Sequence, residues 1–405
     1  MNIQDKLYRA DEIFETNHET TVCFGAEAFS QLTCLLHELG ESTVLVCAGG
    51  ERSFHQSGAF SLLMRAFGKS DANVPRYENI PAEPDTDHVR DLVKTMDLEK
   101  PAAVIAVGGG SVMDAVKAAY LSWQTGVDVK ELFGSSVASS RFPEQNFKKV
   151  WCIPTTSGTG SEVTPYSNII DRESGVKCLI ADPVIIPEYA FVHPELTCSL
   201  PDSVTVDTAL DAMVHCIESF LNIKAGKEHP QVAGWAVHGI SMIAEGLPLV
   251  LAGNGSSPLV RASLSAAAVI GGMCISLCPT SLPHLCSFSF CGKSTHGAAV
   301  ASLLPHFWRY YLANQEIAEK TMLLSCVFPG NNPMEVVDSC ERFIASVGIE
   351  TAPGNLSGTD SSFIDVLAEN AALNPMRLRS APVAIDPETA GTVFRKVLSS
   401  VWNRK

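Results

Sequence analysis

Two kinds of apolar spacing divide the chain. In its first part, short runs rich in β-branched residues end in glycine: TVLVCAG (Thr43–Gly49) and AAVIAVGGG (Ala102–Gly110). Uninterrupted runs of this length suit strands buried on both faces, as in a parallel sheet. The segment after the second run, SVMDAVKAAYLSW, carries apolar residues at helical spacing, and KVWCIPTTSGTGSE is a third strand running into a loop of glycine and threonine. Strands alternating with helices predict a doubly wound, mostly parallel sheet whose ligands sit at the C-terminal ends of its strands. After about Pro201 the period changes to that of helices. Val204–Leu221, Val232–Leu249, Pro258–Leu277 and Gly297–Leu312 are the clearest, with turn signals in AGNGSSP, PGNNP and APGNLSG. No β-rich run of comparable strength follows Val192. The expectation is an α/β domain over 1–195 and an all-α domain over 196–405, with the active site in the cleft between.

Composition narrows the partners. The 405 residues are 46% hydrophobic and 18% charged, enough apolar material for a sizeable core. A formal charge of −15 disfavours nucleic acid or an anionic membrane, since both need basic patches. The 13 cysteines stand singly in apolar runs such as GGMCISLC, with no C-x-x-C pair, which reads as reduced thiols in a cytoplasmic protein. The opening MNIQDKLYRADEIFETNHETT lacks the apolar core of a secretory signal. No charged residue lies between Arg261 and His284, but serines, threonines, Gly271, Gly272 and Pro279 interrupt that segment. A buried helix is expected there and no membrane span.

Two loops bear phosphate-binding chemistry. In GGGSVMD (Gly108–Asp114), glycines between strand and helix let backbone N–H groups approach a diphosphate at the helix N-terminus. The motif is not G-x-G-x-x-G, and a tight turn would use the same residues. The loop TTSGTGSEVT adds hydroxyls on Thr155, Thr156, Thr159 and Ser161, and Lys177 on the next extended segment could reach a ribose or phosphate. Ser161, Glu162 and Thr164 could equally just cap a helix start.

A metal site is also suggested. TVDTALDAMVHCIESFL places Asp207, Asp211 and His215 four residues apart on one helical face, where Asp211 and His215 could grip one ion. An isolated pair of this kind more often just stabilises a helix. His284 and His296, in SLPHLCSFSFCGKSTHG, add two more imidazoles. One carboxylate and three imidazoles suit Fe²⁺ or Zn²⁺.

Taken together, these motifs resemble the iron-containing (group III) alcohol dehydrogenase family over residues 20 to 400. GGGSVMDAVK is similar to its glycine-rich loop, IPTTSGTGSEVTPYSNIID to its second loop, DAMVHCIESF to the D-A-x-x-H-x-I-E helix, THGAAVASLLPH to its last-ligand segment, and NPMRL to a C-terminal N-P-R element. The resemblance implies a dehydroquinate synthase-like/group III alcohol dehydrogenase architecture. It makes Asp211, His215, His284 and His296 metal ligands, and assigns Gly109, Gly110, Ser111, Asp114, Thr155, Thr159, Thr164 and Lys177 to the cofactor. Three departures stand out. His284 and His296 are two positions closer than the family pattern, read here as a deletion in the intervening loop. The family's proton-relay histidine is replaced by Phe288, or by Ser287 or Cys286 under another gap. The usual P-H-G is T-H-G, preceded by Lys293 and Ser294.

The implied reaction moves a hydride between nicotinamide C4 and a carbonyl carbon whose oxygen the metal polarises. Without a relay histidine, the proton would come from water or a cofactor ribose hydroxyl. After TVLVC, where relatives preferring NAD often carry an acid for the ribose 2′-OH, the chain has Ala48 and Gly49, then Arg52 and Ser53. That favours NADPH over NADH. Lys293 suggests a small anionic aldehyde, such as a phosphonate or carboxylate, and a faint likeness to the phosphonoacetaldehyde-reductase branch. A lysine in a loop is as readily no more than an exposed charge. Neutral short-chain aldehydes, an NAD- and metal-dependent lyase of dehydroquinate synthase type, and a non-catalytic binding protein are the alternatives. A homodimer is expected.

Overall fold

In the computed structural model, which describes residues 2–17 and 19–404, the strands are β1 (Thr21–Phe24), β2 (Val44–Ala48), β3 (Arg76–Tyr77), β4 (Ala103–Gly108), β5 (Gly134–Ser135), β6 (Trp151–Pro154), β7 (Tyr166–Ile170), β8 (Lys177–Ala181) and β9 (Tyr189–Val192). Six of them form one sheet in the order β1-β9-β6-β4-β2-β3, and every pairing in it is parallel.

Alternation along each strand explains why this sheet carries helices on both faces. From β2, Leu45 and Cys47 enter one core, while Val44, Val46 and Ala48 enter the other. β4 divides the same way, with Val104 and Ala106 on one side and Ala103, Ile105 and Val107 on the other. The helices Thr86–Glu99 and Gly110–Thr125 supply the first core, and Ala28–Leu39 and Ala59–Phe67 the second. Burying a Val, Leu or Ile stabilises by about 1.5–3 kcal/mol, so leaving either face open would forfeit many such terms. Strands read as unbroken apolar runs are thus buried twice over.

A smaller sheet, β5-β8-β7, pairs β7 with β8 antiparallel and β8 with β5 parallel. The sequence reading did not anticipate this sheet beyond an extended segment at Lys177. By internal contacts the chain divides into Met1–Pro201 with Ser256–Met273, and Asp202–Gly255 with Cys274–Lys405. The first unit therefore takes in a stretch of the helical half, which a single cut at 195/196 does not describe.

The second unit is helical. Asp202–Leu221 packs against Gln231–Leu249 and against His296–Tyr311. Every residue from Ala209 to Leu221 is buried, charged ones included, so Asp211, His215 and Glu218 lie inside protein. Among the described residues, two helices are long and apolar enough to cross a membrane by length and composition; 83% of the apolar window of Pro258–Leu277 and 50% of that of Gln231–Asn254 are buried in the fold. All 13 cysteines are free thiols.

Candidate metal centre and dinucleotide loops

In the first unit, the two glycine loops follow neighbouring parallel strands, β4 and β6, at their C-terminal ends. No side chain among the described residues caps the 16-residue helix that begins at Gly110, so its first-turn amides face outward with the positive end of the helix dipole. Glycine is needed for a second reason. A Cβ on Gly110 would stand 2.6 Å from Thr159 Cγ2, and one on Gly109 would stand 3.2 Å from Thr156 Oγ1. The loops therefore rest on each other, and Thr155 N donates to Gly108 O at 3.0 Å. Gly160, at φ +63°, lies so close to Gly272 that a Cβ would meet its Cα at 2.5 Å. The Thr155 hydroxyl oxygen is buried without a hydrogen-bond partner among the described residues. An uncapped helix start, an orphaned hydroxyl and close-approach glycines fit a bound diphosphate.

Other residues assigned to the cofactor are occupied by the protein itself. Asp114 Oδ1 accepts from Ser161 Oγ at 2.7 Å, and its Oδ2 accepts from Asn168 N at 2.9 Å. Thr164 and Ser161 are buried, and Ser111 Oγ donates to Ala82 O. Asp114, Ser161 and Thr164 thus brace the loops from within, a role that residue type alone does not distinguish from ligand contact. Gly49 closes on Ser53, whose Oγ donates to Gly50 O at 3.2 Å. Lys177 is half-buried at the start of β8.

In the second unit, three imidazoles converge on one carboxylate oxygen. Nε2 of His284, His296 and His215 lies 3.2, 3.5 and 3.6 Å from Asp211 Oδ1. Asp211, His215 and His284 are buried and offer ligand atoms within 4.8 Å of one another. The His284 and His296 rings are 5.4 Å apart, so the shortened loop between them still brings both to the cluster. One oxygen facing three nitrogens cannot satisfy them all with protons, whereas a cation among them can. Burial alone would push the Asp211 carboxyl up, but the surrounding imidazoles of His215, His296 and His284 hold it well below the usual carboxylate range. Burial pushes His215 down to about 4, and its Nδ1 has no hydrogen-bond partner among the described residues. Burial also opposes a charge on His284, yet Glu218 and Asp211 on its two nitrogens bring it up to about 9. Neutral His215, anionic Asp211 and two further imidazoles are the donors that Fe²⁺ or Zn²⁺ takes.

The sequence reading missed the residues that aim these ligands. Glu218, wholly buried, accepts from His284 Nδ1, which leaves Nε2 for the cluster. Its other oxygen accepts from Ser281 N at 2.7 Å and Ser281 Oγ at 2.8 Å. Ser287 Oγ donates to His284 O at 2.8 Å, so toward His296 Nδ1, 3.4 Å away, it acts as acceptor. The signal for Glu218 was available: it lies seven residues, two helical turns, after Asp211. Asp207, on the same face, is not at the cluster. It accepts from Thr295 Oγ1 and from Ala298 N at 2.8 Å, holding the start of the helix that carries His296. Gly297 makes that junction possible, since a Cβ there would lie 1.8 Å from Asp207 O. Phe288, one of the three residues aligned with the family's relay histidine, stacks on His296 with centroids 6.4 Å apart. Lys293 is exposed, and its ammonium sits 5.4 Å from the centroid of the Phe363 ring rather than among the groups facing Asp211.

A doubly wound α/β unit joined to a helical unit with a buried carboxylate–imidazole cluster is the architecture of one known class of dehydrogenases, and comparison with known proteins identifies both parts. Residues 19–194 match the iron-containing alcohol dehydrogenase family, and 205–397 match the C-terminal part of the Fe-containing alcohol dehydrogenase family. The chain belongs to the iron-containing alcohol dehydrogenase family. It is 32% identical over 285 residues to the probable alcohol dehydrogenase EutG of Escherichia coli (strain K12), covering 69% of this chain and 68% of that protein. It is 28% identical over 338 residues to aldehyde-alcohol dehydrogenase 2 of Entamoeba histolytica, 75% of this chain but 37% of that protein. The chain thus spans little more than a third of that longer relative. The crystal structure of sulfoacetaldehyde reductase from Bifidobacterium kashiwanohense in complex with NAD⁺ shares the fold, with a TM-score of 0.77, 24% identity, and coverage of 94% of this chain and 97% of that one.

Proposed function

We propose that the chain is a metal-dependent, NAD(P)H-linked alcohol dehydrogenase or aldehyde reductase acting on a small aldehyde. The observation that carries this reading is the convergence of three imidazole nitrogens on Asp211 Oδ1 inside the second unit. Asp211, His215, His284 and His296 would hold Fe²⁺ or Zn²⁺, which when bound supplies Lewis acidity to a carbonyl oxygen. The loops at Gly108–Ser111 and Thr155–Thr159 would hold the dinucleotide that supplies the hydride. Glu218 keeps a proton on His284 Nδ1, and Ser287 does the same at His296, so both rings present Nε2. Phe288 has no proton to give, so the alkoxide proton would come from water or a cofactor ribose hydroxyl.

NADPH is proposed over NADH because Ala48, the last residue of β2, and Gly49 after it carry no carboxylate and Arg52 follows, exposed. A phosphonate or carboxylate on the aldehyde is the finer form of the substrate reading. Its support is the exposed ammonium of Lys293, three residues before His296, and a structural relative whose named substrate is a sulfonate aldehyde. Free thiols throughout support a cytoplasmic setting, and a homodimer is part of the proposal.

The test is kcat/KM for reduction by anaerobically purified, Fe²⁺-loaded protein, with NADPH and NADH, across phosphonoacetaldehyde, succinic semialdehyde and neutral aldehydes of similar length. Preference for an anionic aldehyde that Lys293→Ala abolishes supports the finer reading. Equal turnover of neutral aldehydes removes Lys293 and leaves the reductase standing. No dinucleotide oxidation with any aldehyde sinks the reading altogether.

A further inference from the structure

We infer that Lys117 is a positioning residue, fixing the shape of the loop Thr155–Thr164 for the dinucleotide from beneath the helix Gly110–Thr125. The inference rests on the dinucleotide reading given above. Gly110, Asp114 and Lys117 stand at i, i+4 and i+7, so one face of that helix bears on the loop. Gly110 meets it through Thr159 and Asp114 through Ser161 Oγ.

Lys117 makes the deepest contact, at 1% exposure. Its ammonium donates to Ser161 O at 3.0 Å, Ser161 Oγ at 2.9 Å and Thr164 O at 3.0 Å. Its three N–H donors thus face three close acceptors, with Thr164 Oγ1 a fourth and more distant one at 3.5 Å, so none is left unpaired. Two of those acceptors are backbone carbonyls that bracket the short turn Ser161–Val163. A hydrogen-bond chain continues the line, since Ser161 Oγ in turn donates to Asp114 Oδ1 at 2.7 Å.

Burying an ammonium is costly, and an apolar side chain of similar length would fill the same space with less desolvation. What methionine or leucine could not supply is geometry. The far end of the loop would lose the donors that hold two carbonyls at fixed positions, while its near end stays tied through Thr155 N to Gly108 O. The middle is fixed separately, by Ser157 Oγ and Ser265 Oγ at 2.9 Å and by Gly160 against Gly272. Lys117 therefore governs the far stretch, from Ser161 to Thr164. Its distance from solvent means it acts through the loop and not by touching a ligand.

Lys117→Met in the full-length, metal-loaded protein tests this. The expected result is a rise of about tenfold or more in dinucleotide Kd and KM, with kcat changed far less, because the lost donors act on binding geometry. Metal content stays at the wild-type value. Ser161→Ala, which removes one acceptor and keeps both carbonyl bonds, shifts Kd in the same direction by a smaller factor. Hydrogen exchange without dinucleotide supplies a second readout: amides of 161–164 exchange faster in Lys117→Met, while those of β4 do not. A folded Lys117→Met protein with wild-type dinucleotide Kd and wild-type exchange overturns the inference, even if its Tm has dropped. If wild-type protein binds no dinucleotide, the functional reading falls, and the exchange result alone decides whether Lys117 shapes the loop.

Discussion

The two candidate sites are built from different materials. The glycine loops of the first unit offer main chain: a helix start without a side-chain cap, and positions where a Cβ would collide. The centre of the second unit offers side chains, four of them brought to one point from three helices, one of them the short Leu282–Ser287. A site made of backbone depends on what is missing from its residues, and one made of side chains on what is present. Substitution should therefore injure them in opposite ways, by adding atoms to the first and deleting them from the second.

The sharpest contrast comes from Asp211→Ala. Three imidazoles lose the oxygen they share, and removing one partner of such a buried set costs on the order of a hundred- to a thousandfold. Bound iron, measured after anaerobic loading and desalting, should fall to trace levels, with kcat/KM lost and dinucleotide Kd unchanged. If that variant also lost dinucleotide binding, the two sites would not be separable and the comparison would break.

Gly110→Ala is the converse. One added carbon at 2.6 Å from Thr159 must displace the second loop, and overpacking of this kind costs about 1–3 kcal/mol. Dinucleotide Kd, read by fluorescence titration, should rise about tenfold or more while metal content holds. Unchanged affinity would mean that the loop contact is incidental.

The smallest effect is expected for Glu218→Gln. An amide keeps the size and can still accept from Ser281, but it no longer offers a charged acceptor to His284 Nδ1. Partners of this type are worth about 10- to 100-fold in metal affinity, and with Ser281 still held the low end of that range is expected, which a competition titration against a chelator would resolve. An unaltered affinity would leave His284 aimed by packing alone.

This difference in materials also decides what could be read in advance. Asp211 and His215 announce themselves through residue type and four-residue spacing, and His284 and His296 through their place in an otherwise uncharged stretch. Parallel strands show as unbroken apolar runs for the same physical reason, double burial. Asp114 illustrates the limit. An acid next to a glycine loop looks like a ligand contact, and only the folded backbone shows it turned onto Ser161 and Asn168. Glu218 and Lys117 each sit at the right helical interval, but what they meet comes from segments 63 and 44 residues away. Lys293 had charge and position in the chain, and the structure sets it over Phe363. The small sheet of β5, β7 and β8 escaped because its strands are short and half-exposed, so no strong apolar pattern marks them.

The contact between Gly297 and Asp207 works as a spacer of zero thickness. A methyl group there would need the room of an atom 1.8 Å away, so the helix bearing His296 and the helix bearing Asp211 would have to part. The reach of the last imidazole is thus set by a residue with no side chain at all. Any variant at 297 is therefore expected to carry His296 away from the centre, so the position governs metal affinity while standing next to a ligand without being one.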